Sequence, residues 1–254
     1  MELTLSMFLI VCPLVFLAGL IDSIAGGGGL ISLPAYTFAG IPGTFALGTN
    51  KLSSICGTSI ASFRYYKNKF VDLTICLPSM GAALLGSFFG TNLALVTDGR
   101  YLQRMLLIAL PITAFFVFKK KNFDSPENPL SRTRMVVYSI LISLVIGIYD
   151  GFFGPGSGTF LILLYNGIAK IDPRIASGNA KLVNFSSNFA AVILFFINGN
   201  ILLPLGLSAA AFNILGAYIG SGLVINKGTK VIRYAILVVL ALLFIKVAYD
   251  TFFN

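Results

Sequence analysis

The chain has 254 residues, of which 57% are hydrophobic and 11% charged, and its mean hydropathy is +0.90. Soluble domains carry about 25% charged residues, so 18 basic and 9 acidic side chains are too few to cover a water-facing surface of this size. Histidine is absent, which excludes Ser/His and Cys/His catalysis and removes the commonest transition-metal ligand.

The composition predicts an all-α polytopic membrane protein. Its first segment, 3–24, contains "LTLSMFLIVCPLVFLAGL" and has neither a basic n-region nor a small-residue cleavage site. It therefore reads as a retained helix rather than a signal peptide. Apolar segments at 29–41, 46–64, 71–97 and 101–118 complete a first half, and 135–153, 158–168, 177–197, 201–225 and 231–250 form a second. Between them, "KKKNFDSPENPLSRTR" at 119–134 holds five cations, Asp124, Glu127 and two prolines, and reads as a linker. The division expected is a first transmembrane repeat at 1–118, a cytoplasmic linker at 119–134 and a second repeat at 135–254. Cys12, Cys56 and Cys76 lie in apolar segments without CxxC spacing, as small buried hydrophobes do.

The halves are copies of one unit. A shift of 130 positions brings Ala46, Gly48, Lys51, Leu52 and Ala61 onto Ala176, Gly178, Lys181, Leu182 and Ala191. A shift of 128 brings Asp22, Gly26 and Gly28 onto Asp150, Gly154 and Gly156. Loop charge then sets direction. Arg64, Lys67 and Lys69 face the neutral "NGN" at 198–200, whereas Asp98 and Arg100 face Lys227, Lys230 and Arg233. If cations mark the cytoplasm, the repeats have opposite orientations, with both termini outside and the linker inside. The shortest segment of each half reaches under about 20 Å and cannot cross a ~30 Å core straight. Two inverted repeats of about five helical segments, each with a Gly-rich broken or re-entrant helix, are the architecture of secondary transporters.

Each break is a glycine cluster, "GGGG" at 26–29 and "GPGSG" at 154–158, followed by a short helix. Unwound backbone is tolerated at membrane depth only where protein or a water-filled cavity surrounds it, and a helix N-terminus beyond it suits an anion. Gly26, Gly27, Gly28, Gly29, Gly154, Gly156, Ser157 and Gly158 are therefore candidate substrate-binding residues. GxxxxGK[ST] and GxGxxG are both absent, which argues against a nucleotide loop. Gly86, Gly90, Gly216 and Gly220, at GxxxG spacing, read instead as tight helix crossings.

A second set lies in "GTNKLSS" at 48–54 and "GNAKLVNFSSN" at 178–188. Lysine, amide and hydroxyl groups along one helix stripe can replace part of an anion's hydration shell. This set contributes Asn50, Lys51, Ser54, Thr58, Asn179, Lys181, Asn184, Ser187 and Asn188. The alternative is that Lys51 and Lys181 snorkel to opposite membrane surfaces while the amides bond neighbouring helices. Asp22 and Asp150 either carry a coupling proton or cap the broken helix end. Neither lies in the GxGD sequence of an intramembrane aspartyl protease, so that enzyme class is disfavoured.

With these residues assembled, the chain resembles the sulfite exporter TauE/SafE family of membrane permeases. The likeness rests on "AGLIDSIAGGGGLISLPAY", "ALGTNKLSS", "IGIYDGFFGPGSGTFLILL" and "ASGNAKLVNFSSNFAAVILFFINGNI", and runs from about residue 8 to 250. The last stretch is most like a bacterial inner-membrane subgroup. The resemblance implies a multi-pass inner-membrane permease for sulfite, organosulfonates or related anions, moved by alternating access of the two repeats. A passive anion channel is the alternative. Lipid and a small anion are the expected partners and a homo-oligomer is compatible with the sequence. No nucleic acid, cofactor, metal or enzymatic activity is expected.

Overall fold

The computed structural model describes residues 3–97, 130–228, 230–232, 234–236, 238 and 239. Among them the regular elements are eight helices: α1 (Leu5–Ala25), α2 (Gly29–Phe38), α3 (Gly43–Lys67), α4 (Leu73–Val96), α5 (Arg132–Phe152), α6 (Ser157–Gly167), α7 (Pro173–Ile197) and α8 (Leu203–Lys227). The segment expected at 101–118 lies outside the described residues, as do most of the linker and most of 231–250.

Five helices, α1, α4, α5, α7 and α8, are long and apolar enough to cross a membrane. At 1.5 Å per residue the 25-residue α7 and α8 reach about 37 Å, more than a hydrocarbon core. Helix α3 is equally long, but Asn50, Lys51, Ser53, Ser54 and Thr58 lower its hydropathy. Helices α2 and α6, of 10 and 11 residues, are the short arms. Polarity is distributed as a membrane requires: Leu9, Phe63, Phe89, Val145, Ile197 and Leu207 are exposed, whereas Lys51, Asp150, Lys181, Asn184 and Asn188 are buried.

Packing between the halves is reciprocal. The opening helix of each half lies along the fourth helix of the other, α1 on α8 and α5 on α4. Small residues let these backbones meet: a Cβ on Gly90 would lie 2.0 Å from the Ile148 carbonyl oxygen, and one on Gly216 2.1 Å from that of Phe16. The loop ties match as well. The Asp72 N–H donates to Asn179 Oδ1 at 2.9 Å, and the Leu202 N–H donates to Thr49 Oγ1 at 3.0 Å. Those residues correspond under the 130-position shift, 49 with 179 and 72 with 202.

Helix ends explain where sequence periodicity loses precision. Asp72 caps α4 by accepting from the Thr74 N–H at 3.1 Å, and Asp172 caps α7 by accepting from Arg174 at 2.9 Å. Helix α7 begins at Pro173, four residues before the apolar run that marks it in the sequence, because a capping acid and a first-turn proline start the helix before its apolar face does. Helix α5 begins at Arg132, inside the polar stretch read as linker. Arg132 forms a two-pronged ion pair with Asp72 at 2.5 and 2.6 Å, which fastens the start of α5 to the start of α4.

Substitution at the tight crossing has a built-in control. Gly90→Ala is expected to cost about 1–3 kcal/mol through overpacking, whereas Gly81→Ala, with nothing within 4 Å of its Cβ position, should be neutral or stabilising by up to about 1 kcal/mol. Equilibrium unfolding of the two variants in detergent checks the difference.

Candidate functional site

The two glycine breaks meet. Gly26, at φ +81°, ends α1, and Gly156, at φ +79°, precedes α6; both lie in the left-handed region that favours glycine. A Cβ on Gly26 would lie 2.3 Å from the Gly158 carbonyl carbon, and one on Gly158 would lie 2.6 Å from Gly26 Cα. The contact is also bonded: the Thr159 N–H donates to the Gly26 carbonyl at 3.3 Å and Thr159 Oγ1 donates to that of Ala25 at 2.6 Å. Part of the backbone freed by each break is thus satisfied by the other half, in protein and not in lipid.

Around this contact the intramembrane charges pair across the halves. Lys51 on α3 of the first half places Nζ 2.7 Å from Asp150 Oδ2, at the end of α5 of the second. Lys181 on α7 of the second half places Nζ 3.2 Å from Asp22 Oδ2, near the end of α1 of the first. The Lys51–Asp150 pair is almost fully buried, with side-chain exposures of 4% and 5%. Neither lysine snorkels to a surface. A charge in this interior is costly unless paired, and each repeat supplies the counterion for the other's cation.

The two pairs have different surroundings. Asp150 Oδ1 accepts from Ser157 Oγ at 2.6 Å, Ser187 Oγ donates to Oδ2, and Lys51 Nζ donates onward to Asn188 Oδ1 at 3.0 Å. Asp22 instead accepts from the Gly28 N–H at 3.3 Å, and Lys181 Nζ also donates to the Asp22 backbone carbonyl. Lys181 therefore holds the last turn of α1, the position where a cation complements a helix dipole.

A small polar cavity of about 30 Å³ opens at the centre. Of the sequence candidates, Asp22, Gly26, Gly29, Asn50, Lys51, Ser54, Asp150, Gly154, Ser157, Asn184 and Asn188 line it. Asn50 Oδ1 is buried with no hydrogen-bond partner among the described residues, and the Asn184 carboxamide oxygen lies 3.4 Å from Ser157 Oγ. Gly154, at φ +102°, brings backbone close to the ion pair; a Cβ there would sit 3.3 Å from both Asp150 Oδ1 and Lys51 Nζ.

The other candidates are not among the cavity-lining residues. Gly27 faces the Val239 side chain, Gly28 approaches the Ala18 carbonyl and Asp22, and Gly158 is spent on Gly26. Gly156 precedes α6, and Thr58 Oγ1 donates to the Ser54 carbonyl at 2.8 Å. Asn179 accepts from the Asp72 N–H, Ser187 supports Asp150, and Lys181 stands behind Asp22. Sequence reasoning missed the Lys–Asp pairing and the role of Thr159. One signal for the pairing was available: each copy carries one buried cation and one buried acid, which hydrocarbon compels to neutralise one another.

The family model described as "Sulfite exporter TauE/SafE" matches residues 11–247. A Haemophilus influenzae protein named "Probable membrane transporter protein" is 35% identical over 251 residues, covering 98% of each chain. The Escherichia coli K12 "Probable membrane transporter protein YfcA" is 35% identical over 237 residues, covering 92% of this chain and 87% of its own. A Bacillus subtilis relative, "Probable membrane transporter protein YdhB", is 24% identical over 219 residues, covering 84% and 89%. No solved structure matches.

Cross-half pairing makes a quantitative prediction. Lys181→Met or Asp22→Asn alone should cost about 3–5 kcal/mol, while the double variant should cost much less than the sum of the two. A double-mutant cycle on unfolding in detergent checks it.

Proposed function

The chain belongs to the sulfite exporter TauE/SafE family and is a membrane transporter. On that premise we propose that it is a secondary permease for small anions, with sulfite, organosulfonates and related sulfur-containing or organic anions as the substrate class. One observation carries this reading. A buried lysine paired with Asp150, a second acid, Asp22, paired with Lys181 behind it, three asparagines and two serines surround a cavity where two helix breaks touch, inside a bundle whose outer face is apolar. Lys51 supplies the charge, and Asn50, Ser54, Ser157, Asn184 and Asn188 supply hydrogen-bonding groups that stand in for hydration. Gly26 to Gly29 and Gly154 to Gly158 hold the breaks that bring these groups together.

Transport proceeds by alternating access of two inverted repeats. The duplicated sequence, the opposite loop charges and the reciprocal helix contacts support that description. The cavity has room for one or two waters, less than an oxyanion needs. Substrate entry therefore requires side chains or halves to move, and the Gly26–Gly158 contact is a pivot for that motion. Asp22 and Asp150 are the groups assigned to proton coupling. In this reading the linker 119–134 is cytoplasmic and both termini lie outside a bacterial inner membrane, which the loop cations support.

Purified protein screened by thermal shift against sulfite, methanesulfonate, sulfoacetate and simple carboxylates should be stabilised by its substrate class through mass action. In proteoliposomes, Lys51→Ala and Asn184→Ala should lower flux of that anion by about tenfold or more, the worth of one charge-assisted hydrogen bond. Wild-type flux in both overturns the site. An imposed proton gradient should change wild-type flux and leave Asp150→Asn unaffected. An ohmic conductance without turnover would identify the channel instead.

A further inference from the structure

The two Lys–Asp pairs are twins in the sequence and different devices in space. We propose that the Asp150 carboxylate is a tethered occupant of the anion site, which leaves Lys51 on taking up a proton as the substrate anion enters, whereas the Lys181–Asp22 pair is a fixed tie. This rests on the anion-permease reading and deepens it.

Asp150 is surrounded as a bound oxyanion is: an ammonium and two hydroxyls, from Lys51, Ser157 and Ser187, converge on its two oxygens. Those three groups come from α3, the start of α6 and α7, on both halves of the chain. Under the repeat shifts, Ser157 corresponds to Gly29 and Ser187 to Gly57, so Asp22 has no hydroxyl at either equivalent position. Access differs in the same sense. Lys51 lines the cavity, while Lys181 is fully buried and is not among the lining residues. Beside Lys51 the cavity is also lined by Asn50, where the equivalent residue of the second half is Ala180.

Two anions cannot share one ammonium in a site this dry. When an external oxyanion takes Lys51 Nζ, the Asp150 carboxylate accepts a proton on one oxygen and becomes a neutral hydrogen-bond donor. The charge of the site is then unchanged for a monovalent anion: a lysine and a carboxylate before, a lysine, a carboxylic acid and a bound anion after. One proton accompanies each anion. The charged and titratable groups facing Asp150 are Lys51 from α3, Asp22 from the end of α1 with Lys181 behind it from α7, and Tyr149 on its own helix. Helices α4 and α6 bring Cys76 and Tyr165, which are engaged with the Asn179 carbonyl and the Ser143 hydroxyl.

Formate, a one-carbon carboxylate, is the probe. Asp150→Ala vacates the cradle, so saturating formate should raise its melting midpoint by about 5 °C or more, well above the response of Asp22→Ala, where Lys181 keeps its bond to the residue 22 carbonyl and no serine hydroxyls converge. Equal responses, or none in Asp150→Ala, overturn the proposal. Should Asp150→Ala fail to fold, Asp150→Asn keeps the shape and removes the charge, with the same expectation. The wild type gives an arm that needs no variant. Its formate shift should grow as the pH falls, because one proton is taken up with each formate bound, and that pH dependence should vanish in Asp150→Asn. A wild-type shift indifferent to pH overturns the proton step. Because formate tests only the cradle, it can succeed even if the thermal-shift panel shows no sulfur-containing ligand, which separates this proposal from the transport reading.

Discussion

Everything at the centre of the molecule follows from the need to neutralise four charges that hydrocarbon will not solvate. A lone lysine or aspartate at this depth is expensive, and removal of either partner from a buried pair is more damaging than loss of both. Each repeat carries one of each sign, but the pairs form between repeats: Lys51 reaches Asp150 and Lys181 reaches Asp22. The lysines sit in the N-terminal part of α3 and α7, and the acids near the C-terminal ends of α5 and α1. Crossing the pairs therefore draws each break-bearing helix end onto the opposite half. Both breaks are brought to one point.

At that point backbone becomes the second constraint. Breaking α1 at Gly26 and α5 at Phe153 releases carbonyls and N–H groups that lipid would leave unsatisfied. The solution is mutual, because Thr159, just inside α6, bonds the Ala25 and Gly26 carbonyls with its hydroxyl and its N–H. Only glycine at 26 and 158 permits the approach, since a Cβ on either would overlap the other's backbone. The flexibility that four consecutive glycines imply is thus spent on contact geometry. Three N–H groups at the start of the short helix beginning at Ser157 are used within the protein, those of Ser157, Thr159 and Phe160. The polar groups offered to the cavity accordingly come from side chains more than a reading from helix dipoles alone would suggest.

Much of this was legible in the chain, for identifiable reasons. Helix α4 appears at Leu73–Val96 against an expected 71–97, because a largely apolar run without a charged residue, bracketed by Asp72 and Asp98, marks it. Helices α3 and α7 start earlier than their apolar runs, at Gly43 and Pro173, because caps and prolines, not hydrophobicity, set those ends. Polar residues inside apolar helices singled out Asn50, Lys51, Ser54, Asn184 and Asn188, which all line the cavity. The same signal also picked out Asn179, whose amide holds the Asp72 backbone in a loop tie. Residue type and spacing cannot separate an amide facing a cavity from one closing a loop. The ion pairs join positions 99 and 159 residues apart, so no local pattern announces them; only the argument from charge neutrality does.

Duplication and divergence together account for the asymmetry of the result. A perfectly repeated unit would give two equal cross-pairs and two equal halves of a cavity. Here Ser157 and Ser187 stand where the first repeat has Gly29 and Gly57, and the first repeat has Asn50 where the second has Ala180. The serines place hydroxyls on Asp150, and Asn50 adds a polar wall beside Lys51. Glycine at 57 does different work, admitting Asn213 of α8 so closely that a Cβ would lie 1.7 Å from its Oδ1. One pair has therefore kept the structural task of locking Lys181 onto the end of α1. That frees the other to exchange partners without loosening the join between the halves, because the Thr159 bonds and the Lys181 tie remain when Lys51 lets go.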